Sequence, residues 1–219
     1  LVGSEMCIRD RDIIDYYKWR YATKKFNPDK KIPISDIEII KESIRLAPTS
    51  YGLQLFKVII IENQVKKEAL RKFSYNQSQV SDASHLFIFC NSTKVFEKDI
   101  DSYIENKSLS QEIPIEKNKG YGDFLKKTLL NKSSEEISEW TKNQLYIALT
   151  HLMTACASLK IDSCPIEGFD TSKYNDFLDI DKKSLSAGVV AAIGYRSETD
   201  NSQYDKKVRK ATKDIFEID

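Results

Sequence analysis

The chain has 219 residues, 41% hydrophobic, 11% aromatic and 31% charged, which is ordinary globular composition with enough chain for one substantial core. Its 34 Lys and Arg against 33 Asp and Glu leave a formal charge of +1. That excludes the broad basic face of a non-specific nucleic-acid binder, so any positive site must be local. Four cysteines without paired spacing, and no export signal, read as reduced thiols in a cytoplasmic protein.

Residues 1–11, LVGSEMCIRDR, have no signal-peptide pattern and read like translated sequencing-adapter sequence. They are set aside together with Cys7, which leaves 12–219 as a single domain. A first helix is expected from Ser35, where Ser35 and Glu38 have capping-box spacing and Ile37, Ile40, Ile44 and Ala47 recur at helical intervals until Pro48. Val58–Ile61 and Leu86–Phe89 read as two strands buried on both faces, with a short helix from Gln64 to Phe73 between them. Asp99–Lys119 is polar and weakly patterned, an excursion or lid.

Ser133 and Glu136 form a second capping-box pair. The helix that follows carries Ile137, Trp140, Gln144, Ala148, His151 and Ala155 on one stripe, flanked by Leu145, Leu149, Leu152 and Met153; it reads as a mostly buried central helix. Its apolar stretch, Leu145–Leu159, is broken by Thr150, His151 and Thr154 and falls short of the roughly 20 residues a bilayer needs. A Pro-Ile-Glu-Gly turn at 165–168, a short helix at Tyr174–Leu178, a strand at Gly188–Gly194 and a basic, then apolar, tail from Gln203 complete the chain. Few strands among many helices predict an α+β layer architecture.

The chemistry-bearing residues are sparse. His85 and His151 are the only histidines and are far apart, with no Cys-x-x-Cys, so zinc is not indicated. Cys90 and Cys156 read as core residues, and Cys164 sits before Pro165 in a turn without an identifiable base. No phosphate loop or Gly-x-Ser-x-Gly elbow occurs, and Gly120 and Gly122 are too isolated to count. Local cations remain: Arg20 with Lys24, and Lys206, Lys207, Arg209 and Lys210. Spacing alone reads them as solvated surface.

Five segments in register change that balance. They are Trp19–Phe26 (WRYATKKF), Ala47–Gln54 (APTSYGLQ), Asn76–Gln79 with Asp82–His85, Pro165–Asp170 (PIEGFD), and Lys207-Val208-Arg209. Together, from about Asp12 to the C-terminus, they resemble the FMN-dependent nitroreductase family, in particular its oxygen-insensitive NAD(P)H nitroreductase and dihydropteridine reductase group. The resemblance implies an α+β fold with an antiparallel or mixed central sheet flanked by helices, in an interlocked homodimer with FMN at the interface.

Residue by residue, the resemblance implies that Arg20, Lys207 and Arg209 hold the FMN phosphate, with Tyr21 and Ala22 beside them. Lys24 would stand at the flavin N1/O2 edge, and Asn76 and Gln79 at the pyrimidine. Pro165 and Ile166 would lie behind the ring, with the backbone N–H groups of Glu167 and Gly168 at N5 and O4. Pro48, Thr49, Ser50 and Gly52, with Gln144 and Ile147, would come from the partner subunit, and Tyr51 and Phe124 would flank the substrate space. Four positions depart from the family pattern: Ala22 replaces a serine, Tyr21 a histidine, Leu55 a proline and Gln79 a lysine. The activity implied is two-electron reduction of nitroaromatics, quinones or pteridines at the expense of NADH or NADPH, by a ping-pong cycle in which the cofactor carries the chemistry. Flavin, ene or dehalogenating reduction on the same scaffold, or flavin binding without turnover, are the alternatives.

Overall fold

Two β-branched runs occupy the centre of the molecule, a computed structural model described for residues 13–218. The reading of residues 1–11, with Cys7, lies outside the described residues. Val58–Ile61 falls in β1 (Phe56–Ile61) and Leu86–Phe89 in β2 (His85–Ser92), paired antiparallel with Val58 opposite Phe89. β3 (Asp162–Ile166) and β4 (Leu185–Gly194) complete a four-stranded sheet in the order β1-β2-β4-β3, antiparallel throughout.

β2 is buried on both faces as its sequence predicts, but β1 is an edge strand and only Ile61 of it is buried. β3 corrects the reading of 165–168 as beginning in a turn. Pro165 lies inside a strand, which is tolerated because β3 is the other edge and the missing N–H interrupts no ladder bond. Cys164, expected near the surface, is consequently 3% exposed.

Helices cover both faces of the sheet. α1, described over 13–19, precedes α2 (Ile34–Arg45). The expected capping box at Ser35 does not form, because Pro33 takes the N-cap position. Ser35 instead meets Asp36 and Glu38 pairs with Lys41. α3 (Gln64–Lys72) and α4 (Ser78–Asp82) follow β1. The polar stretch 99–119 is not a loop: α5 (Glu97–Ser110) and α6 (Ile115–Leu129) pack against each other around Ile100, Ile104, Leu125 and Leu129.

α7 (Ser134–Ser158) is the long central helix, and its capping box forms: Glu136 N–H donates to Ser133 Oγ at 3.2 Å and Ser133 N–H to Glu136 Oε2 at 2.8 Å. With α2 it packs on one sheet face through Leu145, Ala148, Leu149 and Leu152 against Phe87, Phe89, Val189 and Ala191. The other face holds Leu86, Ile88, Cys164, Ile166 and Val190 against Tyr174 of α8 (Thr171–Leu178). α7 is less buried than its composition suggests, since Asn143, Tyr146, Ile147 and Thr150 line an open face. No helix among the described residues is long and apolar enough to cross a membrane.

Candidate functional site

The open edge of β3 organises the site. Ala22 forms a parallel bridge with Ser163, so segment 20–24 runs along this edge. Backbone polar groups alternate sides along a strand, and those of 163, 165 and 167 therefore turn away from β4. Proline has no N–H, which leaves Glu167 as the next donor on that side. Neither the Glu167 nor the Gly168 N–H finds an acceptor among the described residues.

At one end of this edge stand three cations. Burial lowers the Arg20 pKa, and Arg209 lowers it further. Lys207 is depressed by burial, by Arg20 and Arg209, and by Arg196. None of Arg20, Lys207 and Arg209 has an ion-pair partner among the described residues, and Arg20 Nε is shut from water with no acceptor. Like charges held together this way suit an anion, and a phosphate dianion would supply both the charge and the acceptor oxygens. Arg196 is differently placed, bonded to Asp162 at 2.8 Å and stacked on Trp19 and Tyr21.

Tyr21 turns its hydroxyl to the Asp200 carboxylate at 2.8 Å, and the same oxygen accepts the Lys24 N–H at 2.8 Å. The exposed Lys24 lies close enough to Cys164 to act on that thiol electrostatically. Asn76 takes φ 58°, and neither its side chain nor that of Gln79 is engaged among the described residues. Pro165 is half-buried on the open side, whereas Ile166 is 3% exposed and committed to the opposite core, so only its backbone borders the site. Gly168 is fixed by Gln77, whose Nε2 donates to its carbonyl at 2.8 Å.

A second group forms around the loop after α2. Ser50 N–H donates to Gln144 Oε1 at 3.0 Å, and Gln144 Nε2 donates back to Trp140 O of α7. Thr49 Oγ1 accepts from Gln54 N–H, while Pro48 stands exposed. Tyr51 and Gly52 are left-handed at φ 58° and 74°, and a Cβ on Gly52 would meet the Tyr103 hydroxyl at 3.2 Å. This turn presents Tyr51 edge-on to Phe124 at 6.3 Å and tilted against Trp140 at 6.1 Å. Tyr121 stacks on Phe124 at 6.2 Å, which extends the aromatic wall. Tyr103, Tyr121, Tyr146 and Asp200 are not singled out by the sequence, and Trp140 is read there only as part of a helical stripe; Tyr51, Glu167 and Tyr21, which meet Trp140, Tyr146 and Asp200, lie far along the chain. Ile147 is exposed on the same face of α7 as Tyr146.

Among the described residues the cysteines offer no nucleophile: burial raises the thiols of Cys90, Cys156 and Cys164, that of Cys90 to about 12. His85 opens β2 with its ring between Ser84 Oγ at 2.9 Å and Glu62 at 3.1 Å, and His151 Nδ1 meets Ser43 O on the face of α7. Among the described residues no group of three or more His, Cys, Asp or Glu is placed to hold a metal.

The model of the nitroreductase family matches residues 17–195. The chain belongs to the nitroreductase family. It is 34% identical over 216 residues to SH0546 of Staphylococcus haemolyticus, provisionally named an NAD(P)H nitroreductase, covering 94% of this chain and 96% of that one. YfkO of Bacillus subtilis, provisionally named likewise, is 34% identical over 214 residues, with 93% and 95% covered. Among solved structures, an Exiguobacterium sibiricum protein in complex with FMN superposes with TM-score 0.81 at 18% identity, covering 94% of this chain and 97% of that one. The nitroreductase fold is thus shared although the sequences have diverged widely.

Proposed function

We propose that this nitroreductase-family chain is an FMN-dependent NAD(P)H oxidoreductase, acting as a homodimer on nitroaromatics, quinones or related electron-poor acceptors in a ping-pong cycle. The observation that carries the reading is the cluster of Arg20, Lys207 and Arg209 at the open edge of β3, without ion-pair partners among the described residues and with Arg20 Nε lacking an acceptor. FMN in the E. sibiricum relative supports the identity of the group. When bound, FMN supplies the two-electron chemistry between the nicotinamide donor and the acceptor.

This chain's residues supply binding, orientation and charge. Arg20, Lys207 and Arg209 would hold the phosphate, Asn76 and Gln79 the pyrimidine, and Pro165 the back of the ring. Lys24 would offer a cation where negative charge collects, and the Glu167 and Gly168 N–H groups offer donors with no other acceptor among the described residues. The wall of Tyr51, Phe124, Tyr121 and Trp140 suits flat acceptors, which it would orient by stacking. In the dimer this wall and the 48–52 loop would serve the partner's cofactor. The open face of α7 and the exposed apolar tail residues Phe216 and Ile218 support burial against a second copy.

An absorption spectrum of the purified protein, before and after anaerobic NADH or NADPH, tests the reading. A yellow protein that bleaches is expected; a colourless one that cannot be reconstituted with FMN overturns it. Other chemistry on the same scaffold is the second reading, favoured by the likeness, at TM-score 0.79 and 17% identity, to an enone reductase of gut-bacterial fatty acid saturation. Turnover of enones in preference to quinones and nitro compounds would select it.

A further inference from the structure

Tyr146 and Glu167 form a polar pair that the site as described leaves without a task. The Tyr146 hydroxyl donates to Glu167 Oε1, linking the middle of α7 to the turn after β3. Each group has the other as its only side-chain partner: Glu167 enters no ion pair among the described residues, and the phenol makes no second hydrogen bond. Both residues are exposed in the single chain, Tyr146 on the α7 face that the dimer reading would cover. A single carboxylate–phenol hydrogen bond adds little to global stability, so its purpose is local.

The turn shows what that purpose is. From Ile166 onward the chain leaves the β4 ladder, and the N–H groups of Glu167 and Gly168 point to the open edge without acceptors. Past Ile166 the turn is restrained at few points. Gln77 Nε2 holds the Gly168 carbonyl at 2.8 Å, Phe169 N–H returns to the Glu167 carbonyl, and Asp170 N–H reaches Phe73 O. All of these act on its downstream half. The Tyr146 hydroxyl is the restraint on the Glu167 side chain itself.

We propose that Tyr146 is a positioning residue of the cofactor site, pinning Glu167 so that the Glu167 and Gly168 N–H groups and the carboxylate keep a fixed place beside the flavin edge. This rests on the FMN reading above. A neutral phenol suits the task because it restrains the carboxylate without cancelling its charge, as a lysine would. The held negative charge opposes accumulation of electrons on the neighbouring ring and sets against it the attraction of Lys24 across the site. The same stretch of α7 holds the 48–52 loop through Gln144, and in the dimer reading that loop serves the partner's cofactor, so one rigid helix joins the two sites.

The test is a double-mutant cycle of Tyr146→Phe and Glu167→Gln on FMN-loaded protein. It reads the flavin midpoint potential, the rate of bleaching by NADH or NADPH, and the unfolding temperature of the cofactor-free chains. Tyr146→Phe is expected to shift the potential positively, in the same direction as Glu167→Gln, and to slow bleaching on the order of tenfold. The double variant should be no worse than the more affected single, because the residues act as one unit. Unfolding temperatures close to wild type would accompany this.

A Tyr146→Phe protein with wild-type potential and bleaching rate overturns the proposal while leaving the FMN reading intact. Additive effects of the two substitutions also overturn it. A wild-type protein that takes up no FMN overturns both. Should Tyr146→Phe fail to fold, the hydroxyl is structural and the proposal falls, and Glu167→Gln alone still reports whether the carboxylate sets the potential.

Discussion

Asp200 and Tyr21 are joined by a 2.8 Å hydrogen bond although 179 residues separate them in the chain. The same carboxylate oxygen accepts the N–H groups of Lys24 and Lys25, and its other oxygen caps the short turn Asn201–Tyr204 through Ser202. Asp200 thereby clips the segment bearing Arg20 and Lys24 to the segment bearing Lys207 and Arg209. Asp200→Asn keeps the shape but weakens charge-assisted bonds worth about 2 kcal/mol in stability. FMN affinity should fall although Asp200 itself lies among protein partners, and denaturant unfolding with FMN titration measures both effects.

The same residue gives a pH dependence. Burial acts to raise the Asp200 pKa, but the Lys24 N–H, the Tyr21 hydroxyl and the Lys25 and Ser202 N–H groups outweigh it, and the net shift is downward. A carboxylate depressed on folding contributes stability that is present above its unfolded pKa, about 3.9, and is lost as pH falls through the folded value. Wild-type stability should therefore drop in acid below about pH 4, and this component should be missing from Asp200→Asn. Equal acid sensitivity in the two proteins, followed by thermal unfolding across pH, would count against the clip.

Arg20→Ala and Arg209→Ala test the phosphate site directly. Each removes a charge-assisted contact of about 2 kcal/mol, equivalent to about thirtyfold in Kd. Relief of mutual repulsion acts the other way in the cofactor-free protein, where Arg20 is depressed by Arg209. Both variants should accordingly bind FMN more weakly while their apo forms unfold no earlier than wild type. Titration of apoprotein with FMN at two salt concentrations checks this, with a shallower salt dependence expected in the variants.

What could be read from the sequence follows from how local each signal is. The α7 cap needs only Ser133 and Glu136, three residues apart, and was legible; the same spacing at Ser35 misled because Pro33 starts the helix earlier. β3 escaped because Asp162, Ser163 and Pro165 hide its two core-facing side chains, Cys164 and Ile166. Among the candidate site residues, Arg20, Lys207 and Arg209 are assigned through resemblance, since charge spacing alone also describes solvated surface. Asp200, Tyr146 and Trp140 gave no local sign, because each acquires its role from a partner that only the fold brings near.

Lys24→Ala addresses the electronic role proposed for Lys24 on the open edge of β3. Lys24 is exposed, and its backbone rather than its ammonium is bonded to Asp200, so the substitution should leave the fold intact. Removing a positive charge near the pyrimidine disfavours electron density there, and the FMN midpoint potential should move negatively with a smaller change in FMN affinity than Arg20→Ala produces. Potentiometric titration against a reference dye gives the sign, and an unchanged potential would remove Lys24 from the electronic part of the site.

Gly52→Ala probes whether the 48–52 loop must hold its shape for substrate. Gly52 has φ 74°, and a Cβ would come within 3.2 Å of the Tyr103 hydroxyl and 3.3 Å of its ring. A left-handed alanine costs about 1 kcal/mol even in open space, and here Tyr103 must also give way. Because Tyr51 is the preceding residue and forms the wall with Phe124 and Trp140, strain at Gly52 displaces the wall before it reaches the cofactor residues of segment 20–24. Steady-state kinetics should show KM for a quinone acceptor rising several-fold, with the rate of bleaching by NADH or NADPH changed much less. Equal losses in both half-reactions would place the loop against the flavin itself rather than against the acceptor.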